Sequence, residues 1–139
     1  MKFENWIIFI GIFITSLAVL AFESTINRLF ALVFYYHFAF MIFSIALFGL
    51  GAGGLMVFFV NRFLKNFKFG TLMIVTLLFA VSITFSILMI NTIDLKMDLV
   101  VTSVVQQKNF MKFFLTLALP FALSGFILSF IFTNFSDRI

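Results

Sequence analysis

Long uncharged stretches, separated by short charged punctuation, set the pattern of this chain. The first stretch runs from Trp6 to Phe22, with Lys2 and Glu4 before it and Glu23 closing it. The second extends from Leu29 to Asn61, broken only by His37, and Arg62, Lys65 and Lys68 follow. A third covers Phe69 to Ile93 and stops at Asp94, Lys96 and Asp98. The fourth runs from Phe113 to Ser136, after which come Asp137 and Arg138. A helix that crosses a bilayer needs about 20 apolar residues. The first, third and fourth stretches each match one crossing. None shows a clean polar face, as expected of helices that are apolar all round.

The second stretch is too long for one crossing. At about 1.5 Å per residue it would reach about 50 Å, against a hydrocarbon core of about 30 Å. Tyr35, Tyr36 and His37 are aromatics with polar tips, which favour the headgroup level. The second crossing is therefore predicted to begin near Phe38. Glu23 to Phe34 is read as an outward continuation of the first helix, which is then long and tilted or protruding. The pattern predicts helices at about 5–34, 38–61, 69–92 and 111–134 in a single transmembrane domain over 1–139, with no soluble domain. Between Asn91 and Asn109, the residues Ile93, Met97, Val100, Val101 and Val104 follow a roughly helical repeat. An amphipathic helix on the outer membrane surface is expected there. The first stretch is long for a signal-peptide core and lacks an A-x-A site before the charges, so it is read as an uncleaved helix.

Composition sharpens this picture. Hydrophobic residues make up 64% of the chain and charged residues 10%, where a soluble domain has about half and about a quarter. Mean hydropathy is +1.26. A chain this short leaves roughly a third of its surface in water when folded, so a water-soluble monomer is excluded. Disorder is excluded as well, because it needs low hydrophobicity and high charge. The fold class is all-α, an integral membrane bundle of four transmembrane helices, with the lipid bilayer as its first partner. Cys is absent, which removes disulfides and thiolate chemistry. The net charge of +4 is scattered among apolar runs and makes no basic stripe, so nucleic acid is not an expected partner. Four crossings put both termini on one side. Lys2, Arg62, Lys65, Lys68 and Arg138 then share a face, which the positive-inside rule makes cytoplasmic. The expected location is the plasma or inner membrane, multi-pass, with both termini cytoplasmic.

Three sets of residues carry candidate chemistry or packing. Gly49 to Gly54 match G-x-G-x-x-G, but that fingerprint needs a strand and a soluble βαβ unit around it. In an apolar helix the same residues read as a packing face of Ala46, Gly49 and Gly53. Glu23 and Arg28 are costly near lipid. Their spacing of five turns them roughly 140° apart on a helix, which makes direct pairing awkward. With the lone His37 they form the candidate polar membrane cluster, weighed against a role that merely orients the helix at the outer interface. Pro120 lies inside the fourth helix, where it removes a hydrogen bond and is expected to kink it. Ser124 and Gly125 then allow close approach. No phosphate loop, nucleophile elbow or metal-ligand spacing is present, and no catalytic residue, cofactor or metal is assigned.

Glu23–Phe30 (E-S-T-I-N-R-L-F), then Tyr36–Phe40 (Y-H-F-A-F), then Ser44–Gly54 (S-I-A-L-F-G-L-G-A-G-G) resemble the membrane domain of the spermidine-synthase-like integral membrane proteins. These are relatives of the polyamine aminopropyltransferases with a multispanning N-terminal region. Asn27 stands where their pattern has Thr. Leu119–Gly125 and Ser136–Ile139 resemble that domain's fourth helix. The resemblance covers most of the chain from Glu23 onward and is carried by the order of the blocks. It implies a membrane domain that anchors, or handles a lipid-soluble or cationic substrate for, a soluble Rossmann-type transferase domain. Such domains bind S-adenosylmethionine or its decarboxylated form. That domain and further membrane helices are absent from this sequence, which reads as the N-terminal piece of such a protein or a split descendant. No catalytic residue is carried over. Two other readings stay open: a small transporter subunit or fragment that homo-oligomerises to form a path, and a truncated product without function.

Overall fold

Four helices account for nearly all of the structure: α1 (Lys2–Val33), α2 (Ala39–Phe63), α3 (Lys68–Ile90) and α4 (Val104–Asn134). The structure is a computed structural model, and it describes residues 2–33, 39–63, 68–90, 92 and 103–134. No strand occurs among the described residues. Each helix contains a segment long and apolar enough to cross a membrane: Ile8–Ala31, Phe40–Val60, Gly70–Ile90 and Val104–Asn134. The fold is an all-α four-helix bundle of the multi-pass membrane type, the class expected from the alternation of apolar runs and charges. Its outer surface agrees. Phe58 is 79% exposed and Leu47 71%, and side chains like these cover faces of α1, α2 and α3 that water would not tolerate as one continuous patch.

One boundary differs from the sequence pattern. α4 begins at Val104, not near 111. The pattern-based boundary was drawn at the last lysine, but a helix needs only backbone bonding to start. Ser103 occupies the N-cap position, and its carbonyl accepts the Gln107 N–H at 3.0 Å. Ser103 and Gln106 also have the spacing of a capping box. The stretch 103–109, expected to belong to a separate surface helix, therefore forms the polar first turns of α4. The remainder of that expected helix, 93–102, lies outside the described residues. At the end of α3, Thr92 turns back, and its N–H and hydroxyl both donate to the Met89 carbonyl at 3.0 and 2.9 Å. That satisfies a carbonyl which a helix end would otherwise leave open.

α4 is the hub. Of its span 56% is buried, against 17%, 33% and 17% for the spans in α1, α2 and α3. α2 packs along it most closely, α3 lies on another side, and α1 crosses both α2 and α4. On α1, the residues Val19, Phe22, Ile26 and Phe30 are buried at intervals of three and four, so they form one stripe. Two of these rings meet rings of α4: Phe22 against Phe121 with centroids 5.4 Å apart, and Phe30 against Phe113 at 5.0 Å. Tilted aromatic pairs at this distance contribute about 0.5–1.5 kcal/mol beyond their burial.

The α2–α4 contact is built from small residues on both helices. A side chain at Gly49 would begin 2.6 Å from the Phe121 Cβ and 2.9 Å from the Ala118 carbonyl oxygen. One at Gly53 would run into the Ala122 carbonyl, and one at Gly125 into the backbone of Leu50. Ala46 is buried on the same face of α2. Lipid tails are as apolar as Leu, so membrane helices associate through close packing rather than through apolar burial. Glycines on both partners allow the backbones to approach.

The α3–α4 contact has a polar pin. Pro120 sits inside α4, and the helix continues through it to Asn134. Pro120 has no N–H, so the carbonyl four residues earlier, at Thr116, loses its donor. The Ser86 hydroxyl of α3 donates to that Thr116 carbonyl at 2.7 Å, and Ser86 is fully buried. Several other hydroxyls, among them Thr15, Ser82, Ser124 and Thr133, bond to carbonyls of their own helices. Thr25, Thr76 and Thr84 are exposed, yet they donate to the carbonyls of Ala21, Leu72 and Ala80 at 2.7, 2.8 and 3.3 Å. No water competes within a bilayer, so a hydroxyl must find such a partner.

Candidate functional site: a polar groove beside the first helix

Polar residues at three- and four-residue spacing line one flank of α1. Glu23 and Asn27 are four apart and share a row, and Ser24 and Arg28 form the adjacent row. Both rows lie next to the buried stripe of Phe22, Ile26 and Phe30, so the side chains that touch α4 hold them in place. α2 closes the far side with Phe43. The result is an open groove of about 450 Å³, lined by the polar Glu23, Ser24, Asn27 and Arg28 and by the apolar Leu20, Ala31 and Phe43. Glu23 and Asn27 are half-buried, and Ser24 and Arg28 are exposed.

Glu23 and Arg28 face the same groove but form no ion pair among the described residues, consistent with their angular separation. Both fall inside the candidate span Ile8–Ala31. The Oδ1 of Asn27 is buried and has no hydrogen-bond partner. A buried acceptor without a donor costs about 1–3 kcal/mol, and this atom lies beneath the groove surface rather than open to it. His37, the third residue of the expected cluster, lies outside the described residues, as do Tyr35 and Tyr36. Ala46, Gly49 and Gly53 are at the α2–α4 contact, away from this groove, and Pro120 is buried in α4. No group of His, Cys, Asp and Glu able to hold a metal occurs among the described residues.

Asn27 is the residue that sequence reasoning undervalued. It registered only as a departure from a family pattern. Its signal was the spacing: a carboxylate and an amide four apart in an otherwise apolar helix share a face. Phe43 could not have been found this way, because only the crossing of α1 and α2 brings it to the groove.

Fold and site together define a class: a multi-pass membrane protein with a charged groove on the flank of its bundle. No protein-family model matches the chain, and no curated protein or solved structure matches it.

Proposed function

We propose that this chain is the membrane module of a spermidine-synthase-like system, holding a substrate at the α1–α2 groove for a Rossmann-type transferase partner. The observation that supports it is the groove itself. Glu23, Asn27 and Arg28 line one cavity within a span, where the cost of an ionisable group rises with its depth in the bilayer. The residues of the groove also fall within the blocks that resemble the family. The chain supplies binding and placement. The partner supplies the transfer of an aminopropyl or methyl group from its sulfonium donor.

The test uses membranes containing the chain together with its transferase partner, supplied with a donor labelled in the transferred group. Transfer is expected to fall at least about tenfold when Glu23→Gln or Arg28→Gln is introduced, with membrane levels unchanged, because each removes a charged hydrogen-bonding group from the groove. His37→Phe extends the same test to the third residue of the expected cluster. Transfer that persists undiminished without the chain would end this reading.

A cytoplasmic location of both termini, in a plasma or inner membrane, belongs to the same proposal, and it puts the groove, near the far end of α1, towards the outer leaflet. The Arg62–Lys68 charges support it. The native chain has no Cys, so single cysteines can be read without background. In intact cells, an impermeant thiol reagent should label Gln107→Cys and leave Asn66→Cys unlabelled. Label at position 66 would invert the topology.

A further inference from the structure

We propose that the α1–α2 groove binds one amine-bearing phospholipid, with its ammonium on Glu23 and its phosphate on Arg28. This rests on reading the groove as a ligand site, and it specifies the chemical class of the ligand.

The argument begins with donors and acceptors. Glu23 is half-buried at the groove, and a carboxylate, which has two oxygens to satisfy, is matched best by a donor with several N–H groups. A primary ammonium has three, and a quaternary ammonium has none. Arg28 carries five N–H donors and no acceptor, and it faces the same groove without an anionic partner among the described residues. Guanidinium matches the oxygens of a phosphate in a bidentate fork. The groove therefore presents a negative and a positive group, complementary to a zwitterion of ammonium and phosphate. A bound water would leave Glu23 and Arg28 unmatched.

The apolar lining places this zwitterion on a lipid. Leu20, Ala31 and Phe43 line the groove beside the charges. From Leu20 an exposed apolar row continues along α1 through Leu17 and Phe13, at spacings of three and four that keep it on one face. Acyl chains lying on that row would bring the head group to Glu23 and Arg28. The volume of about 450 Å³ lies within the range of small-ligand sites, roughly 300–1,000 Å³. It suits a head group whose chains remain outside in the bilayer.

The test is native mass spectrometry of the full chain in detergent, with phosphatidylethanolamine, phosphatidylcholine or phosphatidylglycerol of identical acyl chains. The wild-type protein should retain phosphatidylethanolamine about tenfold more strongly than phosphatidylcholine, the loss expected when charged hydrogen bonds cannot form. Glu23→Gln should bring phosphatidylethanolamine down to the phosphatidylcholine level and leave phosphatidylcholine unchanged. Arg28→Gln should weaken all three lipids. Soluble glycerophosphoethanolamine should fail to displace the bound lipid. Equal retention of the ethanolamine and choline lipids by the wild-type chain would overturn the proposal, whatever the variants do. So would a preference that survives Glu23→Gln. Displacement by the soluble head group would assign the groove to a free zwitterion, and a lipid-free dimer would assign it to a second copy. Lipid preference without labelled-group transfer would sink the transferase reading alone. Transfer without lipid preference would sink this one alone.

Discussion

Replacing Gly53 with leucine is expected to destroy the folded bundle, whereas the same change at Gly51, two residues away, leaves it intact. At Gly53 a new Cβ would run into the Ala122 carbonyl and lie 2.8 Å from the Phe126 nitrogen. Both obstacles are backbone, so no rotamer change relieves them. The helices would have to separate along the contact that joins α2 to the hub. Overpacking a well-packed site costs about 1–3 kcal/mol, and more where nothing can move. Total stabilities run only about 5–15 kcal/mol. A loss of at least about 3 kcal/mol is therefore expected for Gly53→Leu, seen as a collapsed denaturation midpoint in detergent and reduced membrane levels. Gly51 meets nothing within 4 Å. Gly51→Leu exchanges a poor helix former for a good one and should be neutral or stabilising by up to about 1 kcal/mol. The pair separates steric packing from any general intolerance of bulk in α2. Equal tolerance at both positions would mean that Gly53 does not touch α4.

The second large effect is a coupling between Ser86 and Pro120. Ser86→Ala removes the hydroxyl that donates to the Thr116 carbonyl at 2.7 Å. That carbonyl lacks its regular helical donor, because the residue four positions on is Pro120. Leaving it unpaired should cost about 1–3 kcal/mol. Pro120→Ala restores an N–H four residues after Thr116, so the carbonyl regains its helical bond. In that background Ser86→Ala should cost at least about 1 kcal/mol less, an interaction energy that a double-mutant cycle in detergent unfolding resolves. Identical costs in both backgrounds would show that Ser86 serves α3 by packing alone. Pro120 thus joins helices as well as interrupting one: the carbonyl it frees becomes the acceptor that holds α3 to α4.

Much of this architecture is legible along the chain because its solvent is lipid. Four runs of about 20 apolar residues have few alternatives once no water can satisfy a backbone group, and so the class and the four spans follow from hydropathy alone. The division of the long second run at Tyr35–His37 followed from length, since one crossing cannot absorb it. The start of α4 did not follow, because Gln106, Gln107, Lys108 and Asn109 are polar residues that prolong a helix beyond its apolar part. Hydropathy reports where lipid ends, and a helix ends where its backbone bonds do.

Other features depended on which helix met which. The small-residue face of Ala46, Gly49 and Gly53 stood out in the sequence, but its partner did not. Only the fold paired it with Ala118, Ala122 and Gly125 and made α4, rather than the more apolar α3, the hub. Glu23 and Arg28 were conspicuous as charges in an apolar helix, and their spacing argued against direct pairing. The crossing of α1 and α2 decided that both would line one groove with Asn27 and Phe43. Sequence by itself determined the solvent, the number of crossings and the cost of each buried charge, since these depend on one helix at a time. Helix partners, the groove and the pairing of Ser86 with Thr116 were decided by tertiary structure, because four helices apolar on every side carry no stripe to say which faces must meet. That choice falls to backbone clearance and to the few polar atoms that must find a partner.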